Sequence, residues 1–193
     1  MASFNNKDIE NIYQGGGVVY YANSNGDMIK LGLLHEDGIE GTVMENITGV
    51  GSALTGEGKV AYFTSGTDIE ITLKLRDFDK YYIQTIFQSV TATGTNSTDG
   101  TSGSMTFGRD AGYRYTGRRL VIFPHWTSAA GTQYGDDVNN PFGLEIYKAV
   151  CTTDLKFAFK PDSPTDLEVT FNAILDPSKD NGNYLGKIGF ITL

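Results

Sequence analysis

The sequence contains few of the residues on which disulfide frameworks and metal sites depend. It has one cysteine and two histidines among 193 residues. A lone cysteine cannot form a disulfide within its chain, so Cys151 argues against a disulfide-stapled secreted module and is expected to be a buried, inert thiol. His35 and His125 stand in none of the short spacings typical of metal sites. We therefore expect neither a metal nor a cofactor.

Positive charge is also scarce. The chain carries 15 basic against 23 acidic side chains, a net charge of −8, whereas a nucleic-acid binder needs basic surface to displace counterions. Four of the basic residues cluster in one segment that also contains Tyr113 and Tyr115, where they resemble a base-stacking patch. The alternative, which the negative net charge favours, is ion pairing with carboxylates of a neighbouring subunit. The four residues concerned are Arg109, Arg114, Arg118 and Arg119.

Long apolar runs are absent as well. No stretch approaches the roughly 18 residues of a membrane span, and the N-terminal residues lack the apolar core of a signal peptide. We expect a soluble protein that is made in a cytoplasm and has no membrane partner. The length suits one domain over residues 1–193, and no internal repeat is visible.

Catalytic motifs do not appear either. The stretch GVGSALTGEGKV at 49–60 resembles a phosphate-binding loop, but Ala53 stands where the first glycine belongs and Val60 where the hydroxyl belongs. No serine lies in a G-x-S-x-G setting. The sequence therefore predicts a protein that is not an enzyme.

What the chain does contain is β-strand signal. Glycine (24), tyrosine (11) and phenylalanine (11) are abundant, as in β structure with many turns. Apolar and polar residues alternate over 68–76 and 166–173, the period of half-buried strands. Strands at 16–22 and 27–34 flank an Asn25-Gly26 turn signal.

One helix accompanies these strands. Asp77 is a suitable N-cap, and an apolar stripe with helical spacing follows to about Val90. The predicted fold is therefore mainly β, a β-sandwich or partly open barrel with one flanking helix at about 77–90. Residues 35–66, rich in glycine and acid, are expected to form a long loop that orders against a partner.

The order of these parts resembles the major tail tube proteins of long-tailed bacteriophages, relatives of the inner tubes of contractile tails and type VI secretion systems. The resemblance rests on GGGVVYYANSNGDMIKLG, the segment 35–66, TDIEITLKLRDFDKYYIQTIF, GRRLVIFPHW and PFGLEIYKAVCTTDLKFAF. It covers nearly the whole chain, although by layout rather than by a signature motif. Such proteins form stacked hexameric rings, and the hollow tube conducts genomic DNA.

The resemblance implies a role for several segments. The chain would be a virion protein, made in the host bacterial cytoplasm. It would bind copies of itself, tail initiator, terminator and tape-measure proteins, and let DNA pass without specific binding. The acidic row on the strand at 166–173 would face the lumen, although the row at 68–76 is an alternative. The inter-ring stacking residues would be Glu40, Glu45, Gly51, Leu54, Gly56, Glu57 and Lys59, the inter-subunit ion pairs would involve the four arginines, and the lumen candidates are Asp166, Glu168, Thr170 and Asn172.

A different class of function fits the same composition. An aromatic-rich β-sandwich can be a carbohydrate-binding or adhesin-like module, in which Trp126 and some of the tyrosines form a platform for sugar. A glycan array and a mass in solution would distinguish the two hypotheses.

Overall fold

The computed structural model describes residues 13–31, 34–51, 59–76, 80–93, 104–127, 133–134, 142–156, 167–180 and 182–193. Eleven strands and one helix lie in these ranges. They are β1 (Tyr13–Ala22), β2 (Met28–Lys30), β3 (Leu34–Gly51), β4 (Lys59–Leu75), α1 (Lys80–Ile86), β5 (Val90–Thr93), β6 (Ser104–Phe107), β7 (Arg118–Thr127), β8 (Gln133–Tyr134), β9 (Phe142–Cys151), β10 (Leu167–Ala173) and β11 (Gly186–Phe190).

Nine of the strands form one antiparallel sheet. Its order is β2-β1-β7-β9-β10-β4-β3, and both ends of this path remain open, so the sheet is not a closed barrel. β11 pairs with β9, and β8 pairs with β7. β5 and β6 form a separate two-stranded sheet. This confirms the predicted mainly-β class of sandwich or partly open barrel.

The core lies between the two halves of the curved sheet. Tyr21 on β1, Leu120 on β7 and Ile146 on β9 belong to the same buried cluster as Leu73 on β4 and Phe171 on β10. These side chains are at most 2% exposed, as the alternating pattern predicts for strands with one face inward. Tyr21 also stacks on Phe171 with ring centroids 4.8 Å apart, which joins the two halves directly.

The predicted hairpin near the N-terminus is present as β1 and β2. Tyr20, Tyr21 and Ala22 pair with Lys30, Ile29 and Met28. Gly26 closes the turn with φ of +94°, a conformation that glycine adopts without steric cost.

The helix is shorter than the sequence predicts. It covers Lys80–Ile86, and residues 77–79, which include the expected N-cap, lie outside the described residues. Val90 does not extend the helix but begins β5, where Val90–Thr93 pairs with Ser104–Phe107. β-branched residues such as Val90 favour a strand, and β6 is the partner strand here. Within the described ranges, no helix has the length and apolar composition of a membrane span.

The prediction that residues 35–66 form a long loop was wrong, because the described residues of this segment form strands. Strands β3 and β4 occupy this segment, and they pair from Leu34↔Leu75 to Gly51↔Lys59 as one long hairpin. Residues 52–58 lie outside the described residues. The described glycines of this segment are accommodated within the ladder, where the register shifts three times.

Candidate assembly surfaces

The outer part of the β3–β4 hairpin extends beyond the rest of the sheet. β10 contacts β4 only from Glu70 to Leu75, so among the described strands the hairpin is two-stranded beyond that point. We call residues 43–51 and 59–68 the arm. A two-stranded hairpin is marginally stable in water, because it has no core of its own.

The arm carries large apolar side chains on its surface. Six are 44% to 68% exposed, which is unusual for one contiguous element of a monomeric protein. The strand register places Tyr62 opposite Gly49 and Phe63 opposite Thr48, so neighbouring aromatic rings project from opposite faces. A partner covering this surface must therefore contact both faces of the arm. The six residues are Val43, Met44, Ile47, Val50, Tyr62 and Phe63.

Four of the seven predicted stacking residues lie on the described part of this hairpin. Glu40 and Glu45 are exposed on β3, and Gly51 pairs with Lys59 at the last described rung. Leu54, Gly56 and Glu57 lie outside the described residues. The apolar arm residues were missed by the sequence reasoning, although the run VAYF at 60–63 is a short strand signal that could have indicated them.

The two predicted lumen-facing rows form a single surface. Glu168 is opposite Lys74, Thr170 is opposite Thr72, and Asn172 is opposite Glu70. The hydroxyls of Thr72 and Thr170 lie 3.1 Å apart, within hydrogen-bond distance. The two rows are therefore not alternatives but one polar face, directed away from the core.

This polar face is acidic on balance. β3 adds Glu40 opposite Thr72, and Asp68 continues the row on β4. Asp166 lies outside the described residues. Four carboxylates (Glu40, Asp68, Glu70 and Glu168) thus share the surface with two cations, Lys74 and Arg76. That this face lines a lumen stays a prediction.

Three of the four predicted interface arginines have partners within the chain. Arg109 donates its Nε–H to the carbonyl of Gln88 at 2.7 Å, and Arg118 donates an Nη1–H to the carbonyl of Thr85 at 3.0 Å. The Thr85 carbonyl lies in the last turn of α1 and the Gln88 carbonyl two residues beyond its end, where cationic donors are favourable. These contacts join residues 21 and 33 positions apart, and the sequence gives no sign of them.

Arg119 belongs to a different cluster. Its Nε lies 2.6 Å from the buried carboxylate of Glu145, and Lys187 Nζ lies 3.2 Å from the other oxygen of that group. Arg114 is exposed and forms no ion pair with the described residues. Pairing of these arginines with a neighbouring subunit stays a prediction.

The Tyr21 hydroxyl and the Cys151 thiol are poorly suited to chemistry. Burial raises the pKa of Tyr21 to about 12, and its hydroxyl donates to the carbonyl of Ala149. Burial likewise raises the pKa of the Cys151 thiol to about 11, so this thiol is protonated near neutral pH and is a weak nucleophile. Among the residues described, no three His, Cys, Asp or Glu side chains form a possible metal-binding group.

Comparison with known proteins does not assign the chain to a family. No protein-family model matches the sequence, and no curated protein is significantly similar to it.

Proposed function

We propose that this protein is a structural subunit that assembles with copies of itself into stacked hexameric rings, forming a tube like that of long-tailed phages. The observation that carries the proposal is the arm, a two-stranded extension with six exposed apolar side chains on both of its faces. A neighbouring subunit that enclosed the arm would remove this surface from water and supply the core that the hairpin lacks.

The body of the protein also exposes large apolar side chains. Leu175, Ile188 and Phe190 are 65% to 74% exposed on the body of the protein, near and on β11. A contact between the arm of one copy and a different surface of the next is heterologous. Such contacts repeat from copy to copy, closing a ring or extending a tube rather than stopping at a dimer.

The charge of the polar face supports a conduit for DNA. Repeated around a ring, a surface with four carboxylates and two cations would give a negative bore. Such a bore repels the phosphate backbone, and it offers too few cations for the counterion release on which tight DNA binding depends.

Removing the arm tests this proposal. In the shortened variant, Asn-Gly replaces residues 45–67, because Met44 and Asp68 are directly paired and a two-residue turn can join them. We expect the core and the circular dichroism spectrum to be retained, while assembly at high protein concentration is lost. Mass by light scattering and negative-stain electron microscopy would measure this, and tubes of normal length from the shortened chain would contradict the proposal.

A pair of point variants provides a matched comparison. Phe63 on the arm and Phe107 on β6 are both 60% exposed. Phe63→Ser should weaken assembly, whereas Phe107→Ser should leave it unchanged. A wild-type chain that stays monomeric at every concentration and binds a sugar on a glycan array would instead favour the carbohydrate-binding alternative.

A further inference from the structure

A polar cleft of about 550 Å³ lies where the β1–β2 turn, α1 and the segment 108–118 meet. Two arginines, Arg109 and Arg118, line it together with hydroxyl, amide and phenol side chains. No carboxylate from the described part of the chain is among the lining residues. A second cleft of about 590 Å³ adjoins the first and shares Arg118 and the turn at 23–25.

The two arginines bring positive charge that the described chain does not neutralise. The partners of Arg109 are the Gln88 carbonyl and the ring of Tyr113, whose centroid lies 5.0 Å from the guanidinium carbon. The partner of Arg118 is the Thr85 carbonyl. A carbonyl or a ring carries no formal charge, and the described ion pairs involve neither arginine. Two cations thus share a cleft to which the described residues contribute no carboxylate, in a chain of net charge −8.

The walls of the cleft are fixed by hydrogen bonds. The Gln88 side chain donates to the carbonyl of Thr116 at 2.6 Å and accepts from the Thr116 N–H at 2.9 Å, which fastens the segment 108–118 to the end of the helix. Asn23 accepts hydrogen bonds from the N–H groups of Asn25 and Asp27, which holds the turn. A site whose groups are already held in place loses less entropy on binding.

We propose that this cleft binds a small polar molecule through a phosphate or carboxylate group, with Arg109 and Arg118 contacting the oxyanion. A guanidinium has five N–H donors, and each of these arginines gives one to a carbonyl, so the contacts among the described residues leave the others available for charge-assisted hydrogen bonds. The side chains of Asn25 and Gln84, which also line the cleft, supply amide groups for the rest of the molecule. No described residue of the arm lines the cleft.

Equilibrium dialysis of the full chain tests the site, with labelled inorganic phosphate as one probe and labelled glucuronate as the other. We expect saturable binding of one molecule per chain that weakens as salt is added. Binding of phosphate alone, glucuronate alone or both supports the proposal and assigns the group recognised. The absence of saturable binding of either probe would overturn it.

Two arginine variants separate a local site from general charge. Arg109→Gln and Arg114→Gln remove the same charge from the same segment, but Arg114 does not line the cleft. Losing a charge-assisted hydrogen bond should lower the affinity about tenfold or more in Arg109→Gln. The affinity of Arg114→Gln should stay within about twofold of wild type, since exposed charges beyond the site are screened. Equal losses in the two variants would overturn the proposal.

A third variant remains informative if Arg109→Gln destabilises the fold. Gln84→Glu places a carboxylate in the lining without removing a hydrogen bond described for the Gln84 side chain. It should compete for the arginines and lower probe affinity about tenfold or more, with no loss of thermal stability. Unchanged affinity would contradict the proposal. So would probe binding that falls as protein concentration rises, because a carboxylate of a second copy would then be the occupant.

Discussion

The two halves of strand β4 have the same strand partner and very different surroundings. In the body half, Ile69, Ile71, Leu73 and Leu75 are 0% to 8% exposed. In the arm half, Tyr62 and Phe63 are 68% and 60% exposed. Both halves pair with β3, but β10 flanks only the body half. The ladder of backbone hydrogen bonds therefore does not determine burial, which requires a third strand and a second layer.

The two halves must also differ in what stabilises them. Full burial of an apolar side chain contributes about 1.5–3 kcal/mol, and the body half has four such side chains. In the described residues the arm is stabilised by its ladder and by cross-strand pairs, which contribute roughly 0.2–1 kcal/mol each. The arm is thus the part of the hairpin that gains most from contact with a partner.

Hydrogen exchange should show the largest difference between these halves. Amides of residues 70–75 should exchange through global unfolding, at about 5–15 kcal/mol, because they lie beside the core. Amides of residues 61–67 should exchange through local opening, at a free energy several kcal/mol lower. The measurement is made on dilute, unassembled protein, and equal protection in the two halves would contradict the comparison. If the proposed assembly is correct, protection of the arm should rise in tubes.

Alanine substitution should reproduce the contrast in stability. Ile71→Ala removes a side chain that is 2% exposed and leaves a cavity, so it should lower the free energy of unfolding by about 2–5 kcal/mol. Phe63→Ala removes a larger side chain that contacts mainly water, and it should change this free energy by at most about 0.5 kcal/mol. Urea unfolding of the unassembled chain measures both. A comparable loss in Phe63→Ala would show that the arm folds back on its own body.

The same contrast explains which part of the hairpin could be predicted from the sequence. Residues 68–76 alternate because one face is in the core and the other in water, and the period of two follows from that environment. The arm exposes both faces, so nothing in a monomer requires its residues to alternate. Without that alternation, its glycines at 49 and 51 make the sequence look like that of a loop. Its strand pairing depends on continuing a ladder that the body begins.

The candidate surfaces show the same limit. The two polar rows were visible in the sequence, but only the strand register shows that Thr72 and Thr170 are neighbours. The arginine cluster was visible too, whereas the attachment of Arg118 to Thr85 depends on where the helix ends in space. The ion-pair cluster at Glu145 could not be predicted from the sequence. Glu145 stands in the strand sequence GLEIYKAV, and its two cationic partners come from other strands.

Glu145 sharpens the comparison because it adds ion pairs to the backbone ladder that joins β11 to β9. Ile188 on this strand is 70% exposed, yet Lys187 and Arg119 both bind the Glu145 carboxylate. Glu145→Gln should lower the free energy of unfolding by about 1–3 kcal/mol, because it leaves Arg119 without its anion. Lys187→Gln should cost only about 0–1 kcal/mol, since that lysine is 44% exposed. Equal effects in urea unfolding would show that Glu145 is not the centre of the cluster.

The smallest expected effect concerns Asp176, in the connection between β10 and β11. Hydrogen bonds from Lys148 and from Ser178 lower the pKa of this carboxyl to about 2. The native state therefore holds the charged form more tightly than the unfolded chain does, whose aspartate pKa is about 3.9. The resulting stabilisation is fully present above about pH 4 and is lost as the pH falls through about 2.

Asp176→Asn should thus be less stable than wild type near neutral pH, and the difference should shrink between about pH 4 and 2. Asp180→Asn removes the same charge from the same connection and serves as the control. A stability difference between wild type and Asp176→Asn that stays constant across this range would mean that the contribution of Asp176 does not depend on the ionisation of its carboxyl group.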